Sequence, residues 1–420
     1  MKEDLEDITV ETLGARGDGI AQSRGARLYV AFAAPGDHVW VRRTGKRGDG
    51  FAAEIAALLE PGPSRTEPVC QHFGTCGSCA TQHIQPTATA EIKRDLLIQA
   101  LARHGITDVP VAATVSIPPG ERRRARLSYR FGREAILGFN QRNSRLLENL
   151  EECPALRNGM AALIEPIRRM AATIGILGKG ADIQITETDN GIDLLIIPKR
   201  EDEPDLRTRE TLAAFADEHD LCRISWQTGA DWEPVAQRRP ARVRFGPTTV
   251  NPPPNAFLQP SRQGEAAIVD LVCKALAPSA PTHIADFYAG CGALTFPLST
   301  LARVTAFEGN DEMADAITRA ASEASVTVER RDLVRQPLST MELNTFDAAV
   351  FDPPRAGARP LAEALADSTI PTVVAVSCNP STLGRDLRLL IDGGYRIEDV
   401  TPIDQFPWSS HLEAVAVLRR

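Results

Sequence analysis

The sequence predicts an α/β protein: a doubly wound, Rossmann-like C-terminal domain, preceded by a small N-terminal β-barrel and a central α+β region. Three observations predict it. From residue 258 onward, apolar strands, glycine-containing turns and helical stretches alternate, as in a mostly parallel sheet covered by helices. Residues 4–60 hold short β-type runs separated by glycine-rich turns, which suits a small barrel. The stretch between mixes hairpin and helix signals and carries a group of cysteines.

A chain of 420 residues is long for one hydrophobic core, and three units are expected: 1–60, 61–257 and 258–420. Hydrophobic residues at 43% and charged residues at 24% exclude a disordered or fibrous class. The opening Met1-Lys2-Glu3-Asp4-Leu5-Glu6-Asp7 has no apolar core of a secretory signal. No apolar run approaches the roughly 20 residues a membrane helix needs. A cytoplasmic monomer without a membrane partner is expected.

The net charge of −8 argues at first against a nucleic-acid partner. Its distribution argues the other way. Between Pro118 and Arg145 stand eight arginines (122, 123, 124, 126, 130, 133, 142 and 145) against Glu121 and Glu134. Arg238, Arg239, Arg242 and Arg244 form a second run without an acid. Such runs serve equally well as solvated faces, but two of them in an acidic chain favour a local phosphate track.

In the N-terminal unit, strands are expected at 8–13, 27–30, 38–41 and 51–55, with Glu60-Pro61-Gly62-Pro63 as a linker. Cys70, Cys76 and Cys79 follow, with Cys153 far along the chain. Three clustered thiols and a distant fourth suit zinc or an iron–sulfur cluster equally, and a disulfide suits a cytoplasmic protein poorly. His72 and His83 are further candidates for zinc, whereas Cys222, Cys273 and Cys291 read as structural. In the middle unit, 183–187 and 192–197 are joined through Asp189-Asn190-Gly191, a hairpin signal. Asn251-Pro252-Pro253-Pro254-Asn255 marks a break.

In the C-terminal unit, strands are expected at 283–288, 303–307, 346–351 and 372–377. The first runs through Asp286-Phe287-Tyr288-Ala289 into Gly290-Cys291-Gly292, whose glycines let backbone approach a ligand. A dinucleotide fingerprint would need a third glycine, and Leu294-Thr295 stands there instead. Glu308, 22 residues after Asp286, is placed for the hydroxyls of a ribose. Asp332, after the next strand, is placed for an adenine amino group. Loop and acids together fit adenosine without a pyrophosphate, as in S-adenosylmethionine.

The next strand ends in Asp352-Pro353-Pro354-Arg355, where the prolines stiffen the turn and present Asp352. Amino-directed methylases carry a similar motif with an aromatic after the prolines; here that residue is Arg355. The strand after it ends in Ser377-Cys378-Asn379-Pro380. A strand-terminal cysteine is often a small buried hydrophobe, but this one shares its sheet edge with Asp352 and the glycine loop. Asp404-Gln405-Phe406-Pro407-Trp408-Ser409-Ser410-His411-Leu412-Glu413 then adds a carboxylate ahead of a final apolar strand.

These motifs, with Phe257-Leu258-Gln259 and Phe307-Glu308-Gly309, resemble those of the RNA uracil-5 methyltransferase family, the 23S ribosomal enzymes more than the tRNA-directed members. The resemblance implies a class I methyltransferase domain using S-adenosylmethionine, with Gln259, Tyr288, Glu308, Asp332 and Asp352 lining the cofactor site. It implies Cys378 as the nucleophile, Glu413 as the base and an RNA partner. Residues 4–60 resemble a TRAM domain, an RNA-binding barrel. Cys70, Cys76, Cys79 and Cys153 resemble the family's [4Fe–4S] site. The chain departs from the family at Pro260-Ser261, Ala293 and Pro354.

Overall fold

The computed structural model describes residues 5–321 and 325–420. The first four residues of the expected N-terminal unit lie outside it. Three large sheets and one short β-ribbon carry the described residues.

The first sheet has six strands, ordered Leu5–Thr9, His38–Arg47, Gly50–Glu60, Ala26–Val30, Gly19–Ser23, Thr12–Leu13. Alternation of buried and exposed residues, as in Leu5–Thr9, turns Ile8, Val39, Val41 and Leu28 into a shared core. Two strands run longer than the sequence suggested, and Gly19–Ser23 was not expected because Gly-Ile-Ala-Gln-Ser lacks a strong apolar alternation. Asp37 ties this sheet to the segment after it. Its carboxylate accepts from the Ala34 and Gly62 backbone N–H groups at 2.6 and 2.9 Å and from Arg65 at 2.5 Å.

The second sheet is ordered Asp231–Gln237, Arg223–Thr228, Gly191–Pro198, Ala181–Thr188, Arg124–Phe131, Ala135–Gly138. The expected hairpin is there, with Thr188 opposite Gly191. Burial and pairing divide the arginine run. Arg123 faces inward, 1% exposed, donating to the Gln259 carbonyl at 2.9 Å and to Glu265 at 2.5 Å. Arg126 pairs with Asp182 and Arg142 with Asp18. In the second run, Arg238 and Arg239 pair with Asp220. Part of the basic surface expected from the sequence is therefore internal pairing.

The third sheet has eight strands: Val326–Arg330, Arg303–Glu308, His283–Phe287, Ala348–Phe351, Thr372–Ser377, Glu413–Arg419, Arg396–Asp404, Val115–Ser116. The first five are parallel and Glu413–Arg419 is antiparallel to both neighbours. Chain order reverses between His283–Phe287 and Ala348–Phe351, which opens a crevice at their carboxyl ends. Apolar cores cover both faces of the sheet. On one, helix Pro86–Ala102, from the cysteine-bearing part of the chain, packs against Pro380–Asp392 through Leu97 and Leu101. Among the described residues, no helix is long and apolar enough to cross a membrane.

Candidate active site

The loop after His283–Phe287 turns sharply. Tyr288, Gly290 and Gly292 have φ of 61°, 58° and 93°, a region that costs a non-glycine residue about 1 kcal/mol or more. Glu308 braces the turn by accepting from the Gly290 N–H at 2.8 Å and the Asn310 N–H at 2.7 Å. Asp286 points into the loop rather than outward. It is 1% exposed, accepts from the Thr295 hydroxyl at 2.5 Å, and burial pushes its carboxyl up to about 7. The Tyr288 hydroxyl is buried with no partner, and burial, with Asp386 and Asp332 adding, pushes it up to about 12. Asp332 is exposed and accepts from the Val334 and Arg335 N–H groups at 3.0 and 3.1 Å.

A second group gathers at the carboxyl ends of the next strands. The Gln259 amide donates to Asp352 Oδ2 at 2.9 Å. The Gln405 amide donates to Gln259 Oε1 at 2.9 Å and to Glu413 Oε2 at 3.1 Å. Asp352, Gln259, Gln405 and Glu413 thus form one hydrogen-bonded chain. Burial raises Asp352 and Glu413 above the usual carboxylate range, Asp352 raises Glu413 further, and the two titrate as a pair.

Cys378 directly follows strand Thr372–Ser377, just ahead of Asn379, which caps helix Pro380–Asp392 by accepting from the Ser381 N–H. A thiolate there meets the positive end of a helix. Burial, then Glu413 and Asp352, push the thiol up, while Arg355 pulls it back. Arg355 donates to His411 Nε2 at 3.0 Å, and burial with Arg355 brings His411 down to about 4, so it accepts as a neutral ring. Sequence reasoning named Arg355 and Gln405 only as motif positions; no local pattern marks their roles.

Cys70, Cys76, Cys79 and Cys153 line one cavity beside Gln82 and Glu152. Burial raises all four thiols, Cys79 to about 12 and Cys153 to about 11. Among the described residues, no three His, Cys, Asp or Glu side chains converge as ligands of a metal ion. His72 lines the cavity with both nitrogens engaged: Nδ1 lies 2.9 Å from Glu148 Oε1, and Nε2 accepts from the Glu151 N–H at 3.1 Å. His83 lies apart from the cavity lining, against Phe73 and Phe32, and burial brings it down to about 4. A further cavity runs from Cys79 and Cys153 to Arg355, Gln405 and His411.

The reversed strand order and the braced glycine loop are those of a doubly wound, cofactor-binding α/β domain. A family model described as tRNA (Uracil-5-)-methyltransferase matches residues 249–420. A protein of Mesorhizobium japonicum, described as an RNA methyltransferase, is 40% identical over 98% of this chain and 97% of its own. The 23S rRNA (uracil(1939)-C(5))-methyltransferase RlmD of Halomonas elongata is 31% identical, over 99% of this chain and 90% of its own. The fold is similar to that of Pyrococcus abyssi tRNA (uracil-54, C5)-methyltransferase in complex with S-adenosyl-L-homocysteine. The TM-score is 0.76 at 23% identity, over 98% of this chain and 99% of that one. The chain belongs to the RNA (uracil-5-)-methyltransferase family, and it is an S-adenosylmethionine-dependent enzyme.

Proposed function

We propose that the protein methylates carbon 5 of a uridine in 23S ribosomal RNA, with Cys378 as the nucleophile and Glu413 as the base. The observation that carries the reading is the convergence of Cys378, Asp352 and Glu413 on one sheet edge, with the two carboxylates linked through Gln259 and Gln405.

Carbon 5 of uracil is a poor nucleophile. Addition of the Cys378 thiolate to carbon 6 yields an enolate whose electron density reaches carbon 5. S-adenosylmethionine supplies the electrophilic methyl group. Glu413 then takes the carbon 5 proton, the electron pair re-forms the C5–C6 double bond, and the thiolate leaves. Asp352, aligned by Gln259, holds the pyrimidine edge. For the cofactor, Glu308 is suited to the ribose, Tyr288 and Asp332 to the adenine, and the Gly290–Gly292 turn to close backbone approach. The raised carboxyls suit a cationic sulfonium, whose charge would ionise them.

Residues 1–60 are read as a TRAM-like RNA-binding unit, 61–257 as the cysteine-bearing unit and 258–420 as the catalytic unit. Cys70, Cys76, Cys79 and Cys153 would hold a [4Fe–4S] cluster. The four thiols line one cavity, and the family resemblance favours iron–sulfur over zinc, which thiolates would serve equally. The group would cross-link the 70–79 segment to Cys153.

A transfer-RNA substrate is the second reading, favoured by the names of the family model and of the archaeal structure. Nucleoside mass spectrometry of both RNA pools from a deletion strain decides. The proposal expects 5-methyluridine to vanish from 23S RNA and return with the intact gene but not with Cys378→Ala. Loss from transfer RNA alone would favour the second reading, and unchanged 5-methyluridine in both pools would defeat both.

A further inference from the structure

Gln405 takes no part in the chemistry of methyl transfer, yet it is held on every side. The residue is 3% exposed, and its two amide hydrogens are both spent, one on Gln259 and one on Glu413. Reversing the amide would set its oxygen against the Gln259 oxygen, so the orientation is fixed by its neighbours. The amide oxygen has no hydrogen-bond partner and lies against Gly264, in the first turn of helix Arg262–Leu276. A Cβ at Gly264 would stand 2.3 Å from that oxygen. Glycine is a poor helix former, and here its missing side chain leaves the space the amide occupies. The backbone is pinned too: buried Lys93 donates to Asp404 Oδ1 at 2.6 Å and to the Phe406 carbonyl at 3.0 Å.

We infer that Gln405 is a positioning residue for proton removal, donating one N–H to Glu413 to keep the base ionised and the other to Gln259 to keep it in register with Asp352. The inference rests on the proposed uridine methylation. Glu413 is 2% exposed and its Oε1 has no partner, so among the described residues Gln405 is its one side-chain donor. Burial, then Asp352, favour the protonated form of the carboxyl, while Arg355 opposes them. The flanking pairs Lys93–Asp404 and Arg123–Glu265 are internally matched. Without the Gln405 donor, Glu413 holds its proton to higher pH. The carbon 5 proton is then not removed, and the sulfur–carbon 6 bond of the methylated adduct persists.

The test uses the full-length protein, a 23S RNA transcript containing ordinary uridine, and S-adenosylmethionine. Turnover is followed against pH, and the covalent complex is quantified on denaturing gels. For Gln405→Met the expected result is an unchanged KM for RNA and turnover about tenfold lower at neutral pH. The acidic limb should move up by about one pH unit, with a methylated adduct accumulating that the wild type does not build up. Gly264→Ala keeps the glutamine but displaces its amide, and should move both readouts the same way, which decides the matter if Gln405→Met does not fold. An unshifted pH profile without accumulated adduct would overturn the inference. A Cys378→Ala protein that still makes 5-methyluridine would overturn the functional reading first, and this inference with it.

Discussion

Cys378 is kept protonated by its surroundings, and that sets a pH dependence. Burial, Glu413 and Asp352 all raise the thiol, so the thiolate fraction at neutral pH is small and grows as pH rises. The rate of adduct formation should therefore climb through the alkaline range, measured by quenched single turnover; a flat profile would point to a different nucleophile. Glu413→Gln should lower turnover about 10²–10⁴-fold, the usual span for a general base, while leaving addition of the thiol possible. Product assays set beside adduct assays separate the two steps. Asp352, Cys378 and Glu413 were legible as a set because each sits in a distinctive motif, the first two just after a strand and Glu413 opening one. Gln405 was not, since nothing in its neighbours announces that its amide joins two distant carboxylate arms.

Helices and strands are fastened to one another by a few buried polar contacts. Lys93 on helix Pro86–Ala102 reaches Asp404 at the end of strand Arg396–Asp404, 311 positions along the chain, and both are nearly sealed from solvent. Lys93→Met would leave Asp404 buried without its cation and should destabilise the protein by about 3–5 kcal/mol, read as a fall in melting temperature. Replacing both partners by apolar residues should recover much of it. Burial would raise Asp37, but Arg65 and the Gly62 and Ala34 N–H groups outweigh it and hold its carboxyl below the usual range. Such a group stabilises the fold above its unfolded pKa, and that contribution is lost as pH falls through the lower folded pKa. Asp37→Asn should flatten the acid side of the stability curve, checked by melting temperature from neutral to acidic pH. Strands were legible from period-two alternation, whereas the arginine run did not reveal which of its members turn inward: Arg123, just ahead of strand Arg124–Phe131, is buried against Gln259 and Glu265. Lys93 had no local signature, because its partner lies hundreds of residues away.

At the scale of the whole molecule, the catalytic sheet is completed by segments far from it in sequence. Val115–Ser116 adds its edge strand, and the Trp408 carbonyl accepts from the Ala80 and Thr81 N–H groups at 2.7 and 3.1 Å. The cysteine-bearing segment thus abuts the loop that leads to Glu413. Anaerobic reconstitution with iron and sulfide should give a coloured protein with about four irons per chain, the composition of a cubane cluster. Cys79→Ser should lose that colour and melt at lower temperature; a colourless protein holding one zinc would contradict the assignment. The alternating C-terminal pattern made the doubly wound sheet legible, whereas the helix and edge strand lent from the middle of the chain were not, because packing partners leave no trace in local periodicity. The most direct test of Cys378 as nucleophile is incubation with 5-fluorouridine RNA and S-adenosylmethionine, followed by peptide mapping of the covalent complex. Fluorine at carbon 5 cannot leave as a proton, so a stable RNA adduct is expected on Cys378, and none with Cys378→Ala. An adduct on another residue, or methylated product released with no adduct at all, would contradict that role.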